Sequence, residues 1–255
     1  VSRHADKMLV DTHCHLHDRE FPLDKGETLK ECHNLGVDKI IVIGTSPKDS
    51  ADALDFASKH EEVSWTYGYH PNEFDGNREQ LEKDLEQAKK LIKQPKLVGI
   101  GEIGLDYHFP PFDKEAQIFL LENMLQIAQD NKLPVSFHVR DAFDDFWPIF
   151  DNFHLKPSVI HSFSDSKKNL SEVLKRGLYI GVNGLATFAD IAHAPLENII
   201  LETDAPYLTP KPFRGKINIP AYVSYVARWA AEYYGKTLDE IEEITTKNAE
   251  RIYQI

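Results

Sequence analysis

The sequence predicts an α/β chain wound as a (β/α)8 barrel of the TIM type, and three observations carry that expectation. Eight apolar runs of strand length recur along the 255 residues, each followed by a stretch with helical periodicity. Several of these runs are continuously apolar, as strands covered on both faces must be. The ionisable residues gather where the runs end, which in a barrel is one shared rim. A doubly wound open sheet is the competing arrangement, because periodicity alone does not separate the two.

The strands are expected at 8–11, 37–43, 63–68, 97–101, 135–138, 158–161, 178–182 and 198–202, rich in Val, Ile and Leu. Between them, Ser46 followed by Asp49 reads as a helix start, since a Ser side chain bonds an orphan amide three residues on. Leu81, Leu85, Ala88, Leu91 and Ile92 trace one helical face. Ile118, Leu121, Leu125 and Ala128 trace another before Pro134 stops the run. Gly36 and Gly177 fall just after helical stretches, where a left-handed cap is wanted. Helices over 222–234 and 238–244 follow the last strand. With no linker rich in Gly, Pro or Ser, residues 8–255 read as one domain. Residues 1–7 read as an N-terminal arm or an appended remnant, with Met8 as a natural start.

The length suffices for a sizeable core, and 42% hydrophobic residues argue against disorder. No apolar run approaches the roughly 18 residues needed to span a bilayer, so no membrane partner is expected. Lys plus Arg number 29 against 41 Asp plus Glu, a net charge of -12 that repels polyanions at long range. Nucleic acid would therefore need a local basic patch or bound metal. Two cysteines, Cys14 and Cys32, form no disulfide framework, which fits a reducing, cytoplasmic setting.

The predicted strand ends carry the chemistry. The first runs into Asp11-Thr12-His13-Cys14-His15, the third into His70 and the fourth into Glu102 and Asp106. The fifth ends at His138-Val139-Arg140, the sixth at His161 and the eighth at Glu202-Thr203-Asp204. Residues two apart in an extended chain point to one side, so His13 and His15 can reach one cation. A lone His-x-His is as readily a polar strand end. Its company of His138, His161, Glu102 and Asp204 supplies enough donors for two divalent ions with open positions.

The blocks VDTHCHL, GEIGLDYH, PVSFHVRDA, VIHSFS, LETDAPYLTP and PFRGKINIP resemble those of the TatD family of metal-dependent deoxyribonucleases. The resemblance runs from Met8 to nearly the C-terminus, in order and with similar spacing. It implies an amidohydrolase-like barrel and a metal-dependent nuclease acting on DNA ends. It further implies that His13, His15 and Asp204 hold one metal, that His138 and His161 hold a second, and that Glu102 bridges them. One departure is Tyr69 in GYHP, where an aliphatic residue is more usual, so the pocket wall beside His70 is expected to differ.

Two cations acidify a shared water and neutralise charge on a phosphoryl oxygen. Asp204 either accepts the water's proton or is a ligand only. Imidazole suits Zn²⁺, whereas carboxylates and a phosphate substrate suit Mg²⁺ or Mn²⁺. Substrate contacts are expected from Arg140, unless it pairs with Asp141, and from Arg214 in the Lys211–Lys216 loop, unless those charges are merely solvated. His70 is assigned a substrate or leaving-group role, and Asp106 a place on the rim orienting a ligand His.

Other residues are read blandly: His17 as surface, Cys14 as core, Gly101 and Gly104 as strand-end turn residues, and 79–93 as an exposed charged helix face. The expected substrate is DNA with short or single-stranded ends, and a monomer is the default. The competing functions are a metal-dependent amide or ester hydrolase on the same barrel and a metal-stabilised binding protein without turnover.

Overall fold

The computed structural model describes residues 9–255, so the predicted arm at 1–7 and Met8 lie outside the described residues. Eight parallel strands pair in chain order: β1 (Leu9–Cys14), β2 (Val37–Ile43), β3 (Val63–Tyr67), β4 (Leu97–Asp106), β5 (Val135–Arg140), β6 (Val159–Ile160), β7 (Tyr179–Val182) and β8 (Ile199–Leu201). Helices α1 (Lys25–Asn34), α2 (Pro47–Lys59), α3 (Arg78–Leu91), α4 (Lys114–Asn131), α5 (Phe143–Phe150) and α6 (Lys167–Lys175) follow the first six strands. This is a TIM-type (β/α)8 barrel. The link from β7 to β8 departs from the predicted alternation, holding only short 3-10 turns at Gly184–Thr187 and Leu196–Asn198. After β8 come α7 (Val223–Tyr234) and α8 (Leu238–Tyr253).

The helix starts work as the sequence suggests. Ser46 accepts from Asp49 N at 3.1 Å, and Gly36 and Gly177 take the left-handed conformation. The predicted stripe on α4 is buried at Leu121, Leu125 and Ala128. A large cluster of Val, Ile, Leu and Phe side chains joins the strands to the helices, and a smaller one packs Val10, Ile41, Ile43 and Ile200 against Ile252 and Tyr253 of α8. Among the described residues, no helix is long and apolar enough to cross a membrane.

Several boundaries differ from expectation, β1 reaching Cys14 and β5 reaching Arg140, with the largest differences at β4 and α8. β4 does not stop at Gly101 but runs to Asp106, so Gly101 and Gly104 are not turn residues. Gly104 sits at φ +156°, and a Cβ there would lie 1.7 Å from the His138 carbonyl oxygen. Only glycine lets β4 and β5 approach so closely. α8 runs on past the predicted 244 to Tyr253, because Thr245 bonds back to Ile241 O and Asn248 donates to Ile199 O.

The barrel seam between β8 and β1 is closed largely by side chains and loop backbone. Asp11 Oδ1 accepts from Thr203 N at 2.8 Å, Asp11 Oδ2 lies 2.6 Å from Thr203 Oγ1, and Thr12 Oγ1 donates to Leu201 O at 2.8 Å. Asp204 N donates to His13 O and His15 N to Ala205 O, both at 2.8 Å. Asp11 is fully buried, and burial pushes its carboxyl pKa well above the ordinary value.

Candidate metal centre

The six predicted metal-ligating residues converge at the C-terminal end of the strands. His13 Nε2 lies 3.6 Å from Glu102 Oε2 and 3.5 Å from Asp204 Oδ1. His15 Nε2 lies 4.0 Å and 3.3 Å from the same two oxygens. Glu102 turns its other oxygen, Oε1, to His138 Nδ1 at 2.9 Å and His161 Nε2 at 3.3 Å. Each oxygen of Glu102 therefore faces a different set of imidazoles, Oε1 also lying 3.8 Å from His70 Nε2. Donor atoms within 4.8 Å of one another form the sets His13–His15–Asp204, His13–Glu102–His161 and His70–Asp106–His138.

The far ring nitrogens decide which atoms face the centre. His15 Nδ1 is 3.2 Å from Ile43 O and His161 Nδ1 is 3.1 Å from Glu202 Oε1. In the neutral ring, a proton held on each Nδ1 leaves the Nε2 lone pair directed inward. His138 has a carboxylate at both nitrogens, Glu102 on one side and Asp106 Oδ2 at 2.8 Å on the other. His13 Nε2 is buried and has no hydrogen-bond partner among the described residues. A buried orphan nitrogen aimed at two carboxylates needs a cation or a proton to complete it. This donor set fits divalent metal.

Burial opposes charge throughout the site, and the partners decide the outcome. Burial would raise Glu102, but His161, His13 and His138 hold it well below the usual carboxylate range. Asp204 is likewise held down, mainly by His15, against the effect of burial. Burial would lower His15, yet Asp204 brings it up to about 9. Glu202 and Glu102 raise His161 against burial, whereas burial and His161 lower His13. Burial takes His70 down to about 4, and His138 brings Asp106 to about 2 despite burial.

The site opens into a cleft of about 430 Å³, whose lining includes His15, His70, Glu102, His138, Asp204 and Tyr207. A family model described as TatD related DNase matches residues 10–254.

The chain belongs to the TatD family.

Among TatD relatives, the uncharacterized metal-dependent hydrolase YabD of Bacillus subtilis (strain 168) is 33% identical over 97% of this chain and 100% of its own length. A Citrobacter rodentium (strain ICC168) protein named 3'-5' ssDNA/RNA exonuclease TatD is 30% identical, covering 97% of this chain and 98% of that protein. The crystal structure of YJJV, a TatD homolog from Escherichia coli K12, matches with a TM-score of 0.88 at 30% identity, over 97% of this chain and 98% of that one. The protein is thus a TatD-family metal-dependent hydrolase.

The expected substrate residues are dispersed. His70 lines the cleft, 3.8 Å from Glu102, while Asp106 lies behind His138 and accepts from His108 N. Arg140 is exposed, with its guanidinium 5.1 Å over Phe109, and Asp141 turns to His108 at 2.6 Å instead of pairing with it. Arg214 donates to Thr209 O at 3.0 Å and lies 3.8 Å over Phe188. Neither arginine is part of the cleft lining. Tyr69 points away, its hydroxyl 3.3 Å from Asp84 of α3, so the departure from the family pattern does not alter the wall through its ring.

His17 is not a surface residue: it is 3% exposed, with Nε2 3.0 Å from Asp49 Oδ1. Cys14 is fully buried, as alternation predicts. Sequence reasoning missed Glu202 and Asn183. Glu202 Oε1 also accepts from Ser162 N at 2.8 Å and from Asn183 Nδ2 at 2.9 Å, and a Cβ on Gly181 would sit 2.1 Å from Glu202 Oε2. The signal available was Glu202 itself, an acid ending an otherwise apolar strand.

Proposed function

We propose that this hydrolase is a two-metal phosphodiesterase that cleaves DNA from an end. The observation supporting this most directly is Glu102, whose two oxygens face separate sets of imidazoles as a bridging carboxylate requires. His13, His15 and Asp204 would hold one ion, and His138 and His161 the other, with Glu102 shared. Two divalent ions there would acidify water and neutralise charge on the reacting phosphate.

The chain's own groups orient and exclude. Ile43 O and Glu202 fix the rings of His15 and His161. Asp204 is held as a carboxylate at the cleft, available to ligate or to take a proton. His70 Nδ1 accepts from Asn72 N at 3.1 Å, which places its proton on Nε2, facing the cleft. With its pKa near 4, His70 is neutral at pH 7 and donates a hydrogen bond to a phosphoryl or leaving oxygen without carrying charge. Arg140 and Arg214 lie farther out, where a phosphate flanking the scissile bond would pass.

A short single-stranded oligonucleotide incubated with the protein tests the reading. Cleavage from one end, loss of that cleavage in excess chelator and its return with Mg²⁺ or Mn²⁺ are expected. Full activity in chelator, or a kcat/KM for acyl esters or amides above that for every oligonucleotide, would overturn it.

A further inference from the structure

We propose that the outward face of α7, together with the loop after β8, is a track that holds the single strand leading into the cleft; this rests on the phosphodiesterase reading above. In a chain of net charge -12, residues 205–231 contain no Asp or Glu but do contain Lys211, Arg214, Lys216 and Arg228, and Glu232 is the one acid between Asp204 and the last track ring, Tyr233. None of these four forms an ion pair among the described residues. The segment begins directly after Asp204, and its first ring, Tyr207, is 62% exposed, lines the cleft and lies 6.4 Å from the His15 ring.

Aromatic rings alternate with these cations. Phe213 stacks on Tyr222 at 4.5 Å, Tyr225 meets Phe213 edge-on at 4.8 Å, and the Arg228 guanidinium lies 4.8 Å over Tyr225. Trp229 stacks with Tyr233 at 5.0 Å, and His193 adds a third ring, 4.9 Å from Trp229. Tyr222, Tyr225, Trp229 and Tyr233 follow three- and four-residue steps along one helical face. Val223, Val226, Ala227 and Ala230 are buried on the other, so the aromatic face, half-buried at Tyr222, Tyr225 and Trp229 and exposed at Tyr233, looks outward over about 16 Å of helix at 1.5 Å per residue.

Rings interleaved with cations that form no ion pair among the described residues suit a single-stranded nucleic acid: bases stack without regard to sequence, and phosphates meet Arg and Lys. A strand laid there is attracted locally, although the rest of the molecule repels it. The interleaved rings favour this occupant over a second copy of the chain, because bases stack on ring faces whereas the cations alone would attract any acidic surface.

Tryptophan fluorescence gives a direct readout. Trp65 and Trp147 are buried, so Trp229 is the tryptophan a base can reach. Metal-loaded protein is titrated with cleavage-resistant phosphorothioate oligothymidylates of three and twelve nucleotides. The twelve-mer is expected to quench the emission and to bind about tenfold more tightly than the three-mer. In Tyr225→Ser/Arg228→Ser that advantage should fall to within about twofold. In Trp229→Phe the quench should vanish. An unchanged length advantage in the double variant would overturn the track. So would sedimentation showing a dimer whose formation shields Trp229 from a soluble quencher. Quenching with the full length advantage, but no cleavage of an unmodified twelve-mer, would leave the track standing and remove the phosphodiesterase reading.

Discussion

The two sides of the cleft hold their imidazoles by different means. On the β1 side the far nitrogens of His13 and His15 meet uncharged groups, Ser136 Oγ at 3.4 Å and Ile43 O at 3.2 Å. On the β5–β6 side the far nitrogens of His138 and His161 meet carboxylates, Asp106 at 2.8 Å and Glu202 at 3.1 Å. A carboxylate behind a ring makes it more basic and restrains it more firmly than a carbonyl does. The first side must rely on Asp204, which sits in front of its rings. The second carries its own supporting charge, and the two sides should therefore fail differently when perturbed.

The largest effect is expected where the sides meet. Glu102→Ala removes the carboxylate common to both, and kcat/KM on an oligonucleotide should fall about a thousandfold or more in steady-state assays. A loss under tenfold would mean that the sides act independently.

Next comes the seam beneath the β1 side. Asp11→Ala strands Thr203 N and Thr203 Oγ1 in the interior and should cost about 3 kcal/mol in denaturant unfolding. Asp11→Asn keeps an acceptor and resembles the neutral acid that burial favours, so it should cost less than about 1.5 kcal/mol. Equal losses in the two variants would contradict this account of the seam.

The supporting groups sharpen the contrast. Glu202→Gln should weaken one Mn²⁺-binding step about 10- to 100-fold in calorimetric titration, whereas Ser136→Ala should change either step by no more than about twofold. Comparable weakening in both variants would erase the distinction between the sides. The smallest effect belongs to the outer loop: Arg214→Ala should raise KM for a short oligonucleotide about threefold, more than it lowers kcat, and flatten the salt dependence by about one phosphate. An unchanged KM and salt slope would remove this loop from the substrate path.

Most of the barrel was legible because its strands are apolar runs and its metal-binding candidates are His, Asp and Glu set against that background. β2 was recovered to the residue, and all six candidates met. What escaped was set by tertiary context. Gly101 and Gly104 look like punctuation, yet they allow close strand approach within β4, which carries Glu102 into the centre of the mouth. The helix α5, with Pro148 inside it, was not among the helical stretches named from periodicity. His17 seemed a solvent residue until the start of α2 placed Asp49 against it. Glu202 was hidden because Asp204, two residues on, supplied an obvious ligand, although Asp204 itself turns left-handed at φ +57°.

The seam also has a consequence for how the molecule is assembled. Its contacts join positions 189 and 192 apart in sequence, whereas His138 reaches Asp106 across 32 and His161 reaches Glu202 across 41. Closing so long a loop is entropically dearer than closing a short one, and contacts of high sequence separation slow folding. On a ribosome, β1 emerges first and must wait for β8, the last strand, before His13 and His15 meet Asp204. A chain cut short before β8 can pair His138 with Asp106 but cannot assemble the first cluster at all. The joint that shuts the barrel thus also checks that the chain is complete through β8 before the His13–His15–Asp204 donor set can exist.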